Sequence, residues 1–199
     1  MKGIVMRSFI DYVDDAHGAR VADEIASLKH LASGGAFTTV GYYPVTDLLA
    51  MAEAASQATG VPLKTLIYRF GRDLYGRLHR GHSQLMAAYA SPIEVLSSLE
   101  AVIHVNVRKL YDNAELPTFE VKERDGNRSV TLLYQSSRPF ADLAAGLIAG
   151  CLDHFGLGDH SSIDRYDLRS DGTATLFTVT VQGQETNGGD SQDRRDRAP

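Results

Sequence analysis

Residues 93–111 read IEVLSSLEAVIHVNVRKLY, and the rest of the chain is understood from this stretch outward. Ile93, Leu96, Val102, Ile103, Val107 and Leu110 recur at helical spacing, so one face of a helix is expected to be buried. His104 sits among them, between Ile103 and Val105, while Glu100, Arg108 and Lys109 supply polar surface. A buried imidazole needs a partner for each ring nitrogen: a hydrogen bond, a charge or a metal. On this stretch alone, a histidine satisfied within the core is the commoner outcome and metal ligation the rarer one.

Toward the N-terminus the pattern stays helical. Residues 4–13 place Val5, Phe9 and Val13 on one side and Arg7, Asp11 and Asp14 on the other. A second helix is expected over residues 19–30, before the Ser33-Gly34-Gly35 break and a loop holding Tyr42-Tyr43-Pro44. Thr46-Asp47 can cap a helix over residues 48–59, which stops at Gly60. Pro62 suits the first turn of the next, which carries Leu66, Ile67, Phe70, Leu74 and Leu78 until Gly81 interrupts it. A further helix is expected over residues 83–90, and Ser91-Pro92 opens the His104 helix.

Toward the C-terminus the period changes. Residues 118–123 and 129–134 flank Arg124-Asp125-Gly126-Asn127, a hairpin signal, and residues 162–168 and 173–181 flank Ser170-Asp171-Gly172, a second one. Between them residues 140–155 return to helix. The expected class is α+β: a mostly helical first half, then a small antiparallel sheet of two hairpins around one helix. One domain is expected over residues 1–181. From 182 to 199 the chain has almost nothing apolar, cannot offset its ordering entropy, and is expected to be a disordered tail.

A net charge of −5 offers no electrostatic case for nucleic acid. One cysteine, Cys151, excludes an internal disulfide or a cysteine-rich zinc cluster and fits a reducing cytoplasm. The N-terminus is too interrupted by charge to be a signal peptide, and no apolar run is long enough for a membrane span. Neither a phosphate loop nor a nucleophile elbow is present, so no enzymatic activity is expected. His79 and His82 stand three residues apart, but Gly81 falls between them and no third metal ligand is evident.

Tyr134, Ser136 and Arg138 alternate, which on a strand would present a phenol, a hydroxyl and a guanidinium on one face. Such donors converge well on an anion such as a carboxylate. Together with His104 and the VRKLY after it, Glu115-Leu116-Pro117, the opening MKGIVMRSFIDYV, FGRDLYGRL over 70–78 and GLIAGCLDHFG over 146–156, they resemble the haem nitric oxide/oxygen-binding domain family, the haem domain type also found in soluble guanylate cyclase. The resemblance runs over about residues 1–181 and implies haem b (iron protoporphyrin IX) held between the helical part and the sheet part.

It further implies that His104 is the proximal iron ligand, that Tyr134, Ser136 and Arg138 hydrogen-bond the propionates, and that Pro117 presses on the porphyrin. The distal positions it implies are Val5, Phe9, Leu74, Leu78, Leu143 and Leu147, all apolar. Oxygen-binding members carry a tyrosine where Leu143 stands, so the expected ligands are nitric oxide and carbon monoxide, with weak or no oxygen binding. Tyr75 is Leu74's neighbour, about 100° around the helix, so both are not expected to face one pocket; Tyr42 and Tyr43 have no assigned place. The implied partner is a histidine kinase or a cyclic-di-GMP enzyme. Oxygen sensing, and a haem-transfer or haem-responsive binding protein, are the alternatives.

Overall fold

The computed structural model describes residues 1–110 and 115–182; the expected tail, past Gln182, lies outside the described residues. Helices come first: α1 (Gly3–His17), α2 (Ala19–Ala26), α3 (Val45–Thr59), α4 (Leu63–Gly81), α5 (Ser83–Met86), α6 (Pro92–Ser97) and α7 (Val105–Leu110), with a π-helical turn over Leu99–His104. Then follow β1 (Thr118–Asp125), β2 (Ser129–Gln135), α8 (Ala141–His154), β3 (Ser161–Asp167) and β4 (Ala174–Val181). The two hairpins join by antiparallel pairing of β2 with β4, Leu132 opposite Phe177, giving one sheet in the order β1-β2-β4-β3. The α+β class and the helix-first order are as the patterning predicts.

Two apolar clusters result. Met6, Phe9 and Val13 of α1 pack on Leu48 and Met51 of α3 and Leu66, Phe70 and Leu74 of α4. Ile93 and Leu96 of α6 pack on Leu132, Tyr134, Phe177 and Val179 of the sheet. The α8 helix serves both, giving Leu143 and Leu147 to the first cluster and Ala144, Ile148 and Cys151 to the second. It crosses α4 so closely that a Cβ on Gly146 would overlap the Tyr68 carbonyl and stand 2.9 Å from Gly71 Cα, and one on Gly150 would stand 2.7 Å from Tyr75 Cβ. Glycine is required at this crossing.

Several boundaries differ from expectation. The α2 helix ends at Ala26 rather than near His30, because the chain turns there and sends Leu31 into the core. Pro44, not Thr46, occupies the N-cap of α3, and Asp47 is buried in its first turn, accepting from Ala32 N at 3.3 Å. The expected helix over 83–90 shrinks to Ser83–Met86. Ser91 does cap α6, its Oγ accepting from Glu94 N at 3.2 Å with Pro92 in the first turn. The helix it opens is not continuous. Val102 N and Ile103 N both donate to Ser98 O, at 2.9 and 3.2 Å, and the wider turn this makes ends at His104.

Candidate cofactor cavity

A cavity of about 430 Å³ lies among the helices and meets the sheet at Phe119. That is within the range of small-molecule and cofactor sites. Helical faces build its walls. From α8 come Ala144, Leu147, Ile148 and Cys151, and from α4 come Tyr75, Leu78 and His79, each a set at helical spacing, with His82 just past the end of α4. The start of the chain adds Ile4 and Val5; α6 and the π turn add Leu96, Ile103 and His104.

His104 is a buried polar residue of this wall, 8% exposed. Its Nδ1 lies 3.0 Å from Glu100 Oε2, one helical turn back. Glu100 in turn accepts from Arg108 Nη2 at 2.7 Å and from Phe119 N, at the start of β1, at 3.4 Å. Burial lowers the His104 pKa, with the Glu100 carboxylate and the Pro117 carbonyl opposing, and the net direction is down. Burial acts to raise Glu100, but the Arg108 and His104 hydrogen bonds outweigh it and hold the carboxyl below its ordinary range. The pair is therefore a carboxylate beside a neutral imidazole, the protonation state that can ligate a metal through Nε2.

Arg138 borders the same cavity and forms an ion pair with Glu115. The expectation that Tyr134, Ser136 and Arg138 alternate along one strand face holds for the first two, since Ser136 N still pairs with Thr173 O at 2.9 Å and the Tyr134 and Ser136 side chains are hydrogen-bonded, but not for Arg138. Strand β2 ends at Gln135, so Ser136 and Arg138 stand in the connection to α8, where Pro139 offers no ladder donor. Arg138 N donates to Ser136 Oγ at 3.1 Å, and Tyr134 lies beside Ser136 but is itself buried against Phe119 and Phe177. Ser136 lines a shallow groove that shares Glu115 and Leu116 with the cavity. Of the trio, only Arg138 is in the cavity wall.

The distal positions divide in the same way. Val5, Leu78 and Leu147 line the cavity. Phe9, Leu74 and Leu143 do not; they lie behind that wall in the N-terminal core, with Phe9 edge-on to Phe70 at 5.0 Å. The reason is helical phase: the α4 face that meets the cavity is about 100° from Leu74 and carries Tyr75 instead. The Tyr75 hydroxyl is buried, makes no hydrogen bond among the described residues, and lies against the Cys151 thiol. Burial raises its pKa and pushes the Cys151 thiol up to about 12, so both stay neutral. Tyr42 also borders the cavity, with Lys2 Nζ 3.8 Å from its ring centre, whereas the Tyr43 hydroxyl is turned away and accepts from Thr38 N at 2.7 Å. His79 borders the cavity too, its ring 3.8 Å from that of His154.

An apolar slot, a buried neutral imidazole on its wall and a guanidinium at its edge suit a flat apolar ring that carries a metal and acidic arms. The haem-NO-binding family model matches residues 2–159. The chain belongs to this family. Among solved structures it is similar to the Fe(II) unliganded H-NOX protein of K. algicida, at 33% identity, covering 93% of this chain and 98% of that one with a TM-score of 0.86. The Shewanella woodyi H-NOX, solved in the Fe(II)CO state with IWP-051 bound, is 33% identical over 94% of this chain and 98% of its own, with a TM-score of 0.77. An S. oneidensis H-NOX in the Fe(II)NO state, 22% identical over 92% of this chain and 100% of its own, shares the fold with a TM-score of 0.80. No curated protein matches the chain. This is thus a haem-binding gas-sensor family, and no helix among the described residues is long and apolar enough to cross a membrane.

Proposed function

We propose that this H-NOX chain is a cytoplasmic nitric oxide sensor that passes its signal to a partner protein. The observation that carries the reading is His104, a buried neutral imidazole anchored through Nδ1 on the wall of an apolar cavity. Bound haem b would supply a ferrous iron that takes a diatomic gas, and nitric oxide would signal by loosening the hold of His104 on it. His104 would hold that iron through Nε2. Arg138, braced by its neighbours Ser136 and Tyr134, would bind the propionates. Pro117, whose carbonyl faces the His104 ring, would bear on the porphyrin from the same side. Val5, Leu78 and Leu147 would face the gas, with Phe9, Leu74 and Leu143 packed behind them.

Nitric oxide is favoured because Val5, Leu78 and Leu147 of the cavity wall, and Leu143 behind them, carry no donor, and oxygen, unlike nitric oxide, needs one to stabilise the negative charge it gains. The absence of a charge-assisted bond worth roughly 1.5–3 kcal/mol lowers oxygen affinity by about one to two decades. Release of His104 would free the first turn of α1, with Val5, to shift relative to the sheet. The gas must bind the relaxed state better, otherwise nothing switches. A histidine kinase or a cyclic-di-GMP enzyme is the partner this reading implies.

Oxygen sensing is the second reading, favoured by the Tyr75 hydroxyl on the cavity wall. Reduced protein in air is expected to give the spectrum of five-coordinate, unliganded haem. An air-stable, oxygen-bound spectrum that Tyr75→Phe abolishes would replace the first reading with the second.

Arg138→Ala is expected to weaken haem retention by about one to two decades, the worth of a charge-assisted bond, and to leave gas preference alone. Transfer of hemin to excess apomyoglobin measures the first, and an altered oxygen response would show that the guanidinium has another role.

A further inference from the structure

Glu100 is the least expected feature of the site. Its carboxylate collects three donors from three places: His104 Nδ1 in the π turn at 3.0 Å, Arg108 Nη2 on α7 at 2.7 Å and Phe119 N at the start of β1 at 3.4 Å. Two of these fix the acceptor from outside the turn, so the carboxylate stands at a set place and the imidazole must rotate to meet it. The π turn ends at His104, and such turns recur at functional sites. The ring also contacts Phe119, centre to centre 5.9 Å, which limits its tilt.

We propose that Glu100 is the positioning residue for the iron ligand, resting on the reading of His104 given above. Accepting a hydrogen bond from Nδ1–H commits the ring to one tautomer and leaves Nε2 as the nitrogen with the lone pair. An anionic acceptor also pushes electron density into the ring and makes Nε2 a stronger donor than a neutral acceptor would. Glu100 thereby sets how firmly His104 holds iron, and so how readily a gas can release it. Because Arg108 and Phe119 share the carboxylate, ring movement at His104 is mechanically tied to α7 and to the first residues of β1.

The test has a haem-free arm and a haem-loaded arm. In the haem-free protein, nitrogen-15 NMR of the imidazoles is expected to show His104 as the Nδ1–H tautomer, and Glu100→Ala is expected to abolish that preference. In the ferrous haem protein, the iron–histidine stretching band is expected at lower frequency in Glu100→Gln, which keeps an acceptor but loses the charge. It is expected lower still in Glu100→Ala, with haem held about 10- to 100-fold less tightly. An unchanged tautomer in Glu100→Ala, or an unchanged stretching band in Glu100→Gln, overturns the proposal. Glutamine is nearly isosteric, so that variant stays informative if the alanine variant does not fold. Absence of any iron–histidine band in the unmodified protein would instead refute His104 as ligand, while the haem-free arm still reports on Glu100.

Discussion

With His104 replaced by alanine, the protein is expected to come through purification without haem and to recover it only when free imidazole is supplied. The rest of the cavity would still offer apolar contact from Leu78, Ile103 and Leu147, and Arg138 would still offer its guanidinium. None of these bonds iron. Losing an outer partner of a metal ligand already costs about 10- to 100-fold in affinity, so losing the ligand itself is expected to cost at least about a hundredfold. The fold should survive without haem, because Glu100 keeps Arg108 and Phe119 N as partners and the removed ring leaves space beside a cavity that already exists. A folded, haem-free variant by circular dichroism and pyridine haemochrome assay is the expected outcome. What would be lost with the haem is its linkage term, about 2.7 kcal/mol of stability when free ligand stands at a hundred times Kd. A variant that keeps full haem without imidazole would remove the basis of the functional reading.

How far the sequence could be read depends on which forces are local. Hairpin turns and apolar periods are set by neighbours in the chain, so both hairpins, the sheet class and helices α1, α3, α4 and α8 were all legible. Continuous period does not imply continuous helix, however. The apolar spacing over residues 93–110 reads as one element, whereas the structure inserts a π turn that ends at His104 and whose Leu99 and Ile103 line the cavity. Phase was the other blind spot. Choosing Leu74 over Tyr75 as the inward residue required the rotation of α4, which the close crossing at Gly146 and Gly150 fixes and a single helix does not reveal. Alternation carried from Tyr134 to Ser136 but misled at Arg138, because it assumed that β2 continued through a segment that Pro139 helps to end. Glu100 read as polar surface. A carboxylate four residues before a buried histidine is the signal that would have found it, since those two positions share a helix face.

The helix crossing that sets that phase is also the place where the smallest substitution should do the most damage. Gly146→Ala adds one methyl group, and in an exposed helix that change is worth up to about 1 kcal/mol in favour of folding. Here the new Cβ would overlap the Tyr68 carbonyl and stand 2.9 Å from Gly71 Cα and 3.0 Å from Arg72 N, all backbone atoms of α4 with no rotamer to change. The helices must separate, and overpacking of this kind costs typically about 1–3 kcal/mol, more where the neighbour cannot yield. The net loss is expected to be about 2 kcal/mol, a fall in Tm of about 4–8 °C for a chain of this length. Separation would also carry Tyr75 and Leu78 away from Leu147 and Cys151, loosening the cavity wall. Gly76 on α4, the other helix of the crossing, supplies the control, because a Cβ there would meet only Arg80 Nη1, at 3.7 Å. Gly76→Ala is therefore expected to raise Tm, and Gly146→Ala to lower both Tm and haem retention. If thermal unfolding showed the two substitutions moving Tm in the same upward direction, the close crossing of α4 and α8 would be wrong, and with it the account of why Tyr75 rather than Leu74 faces the cavity.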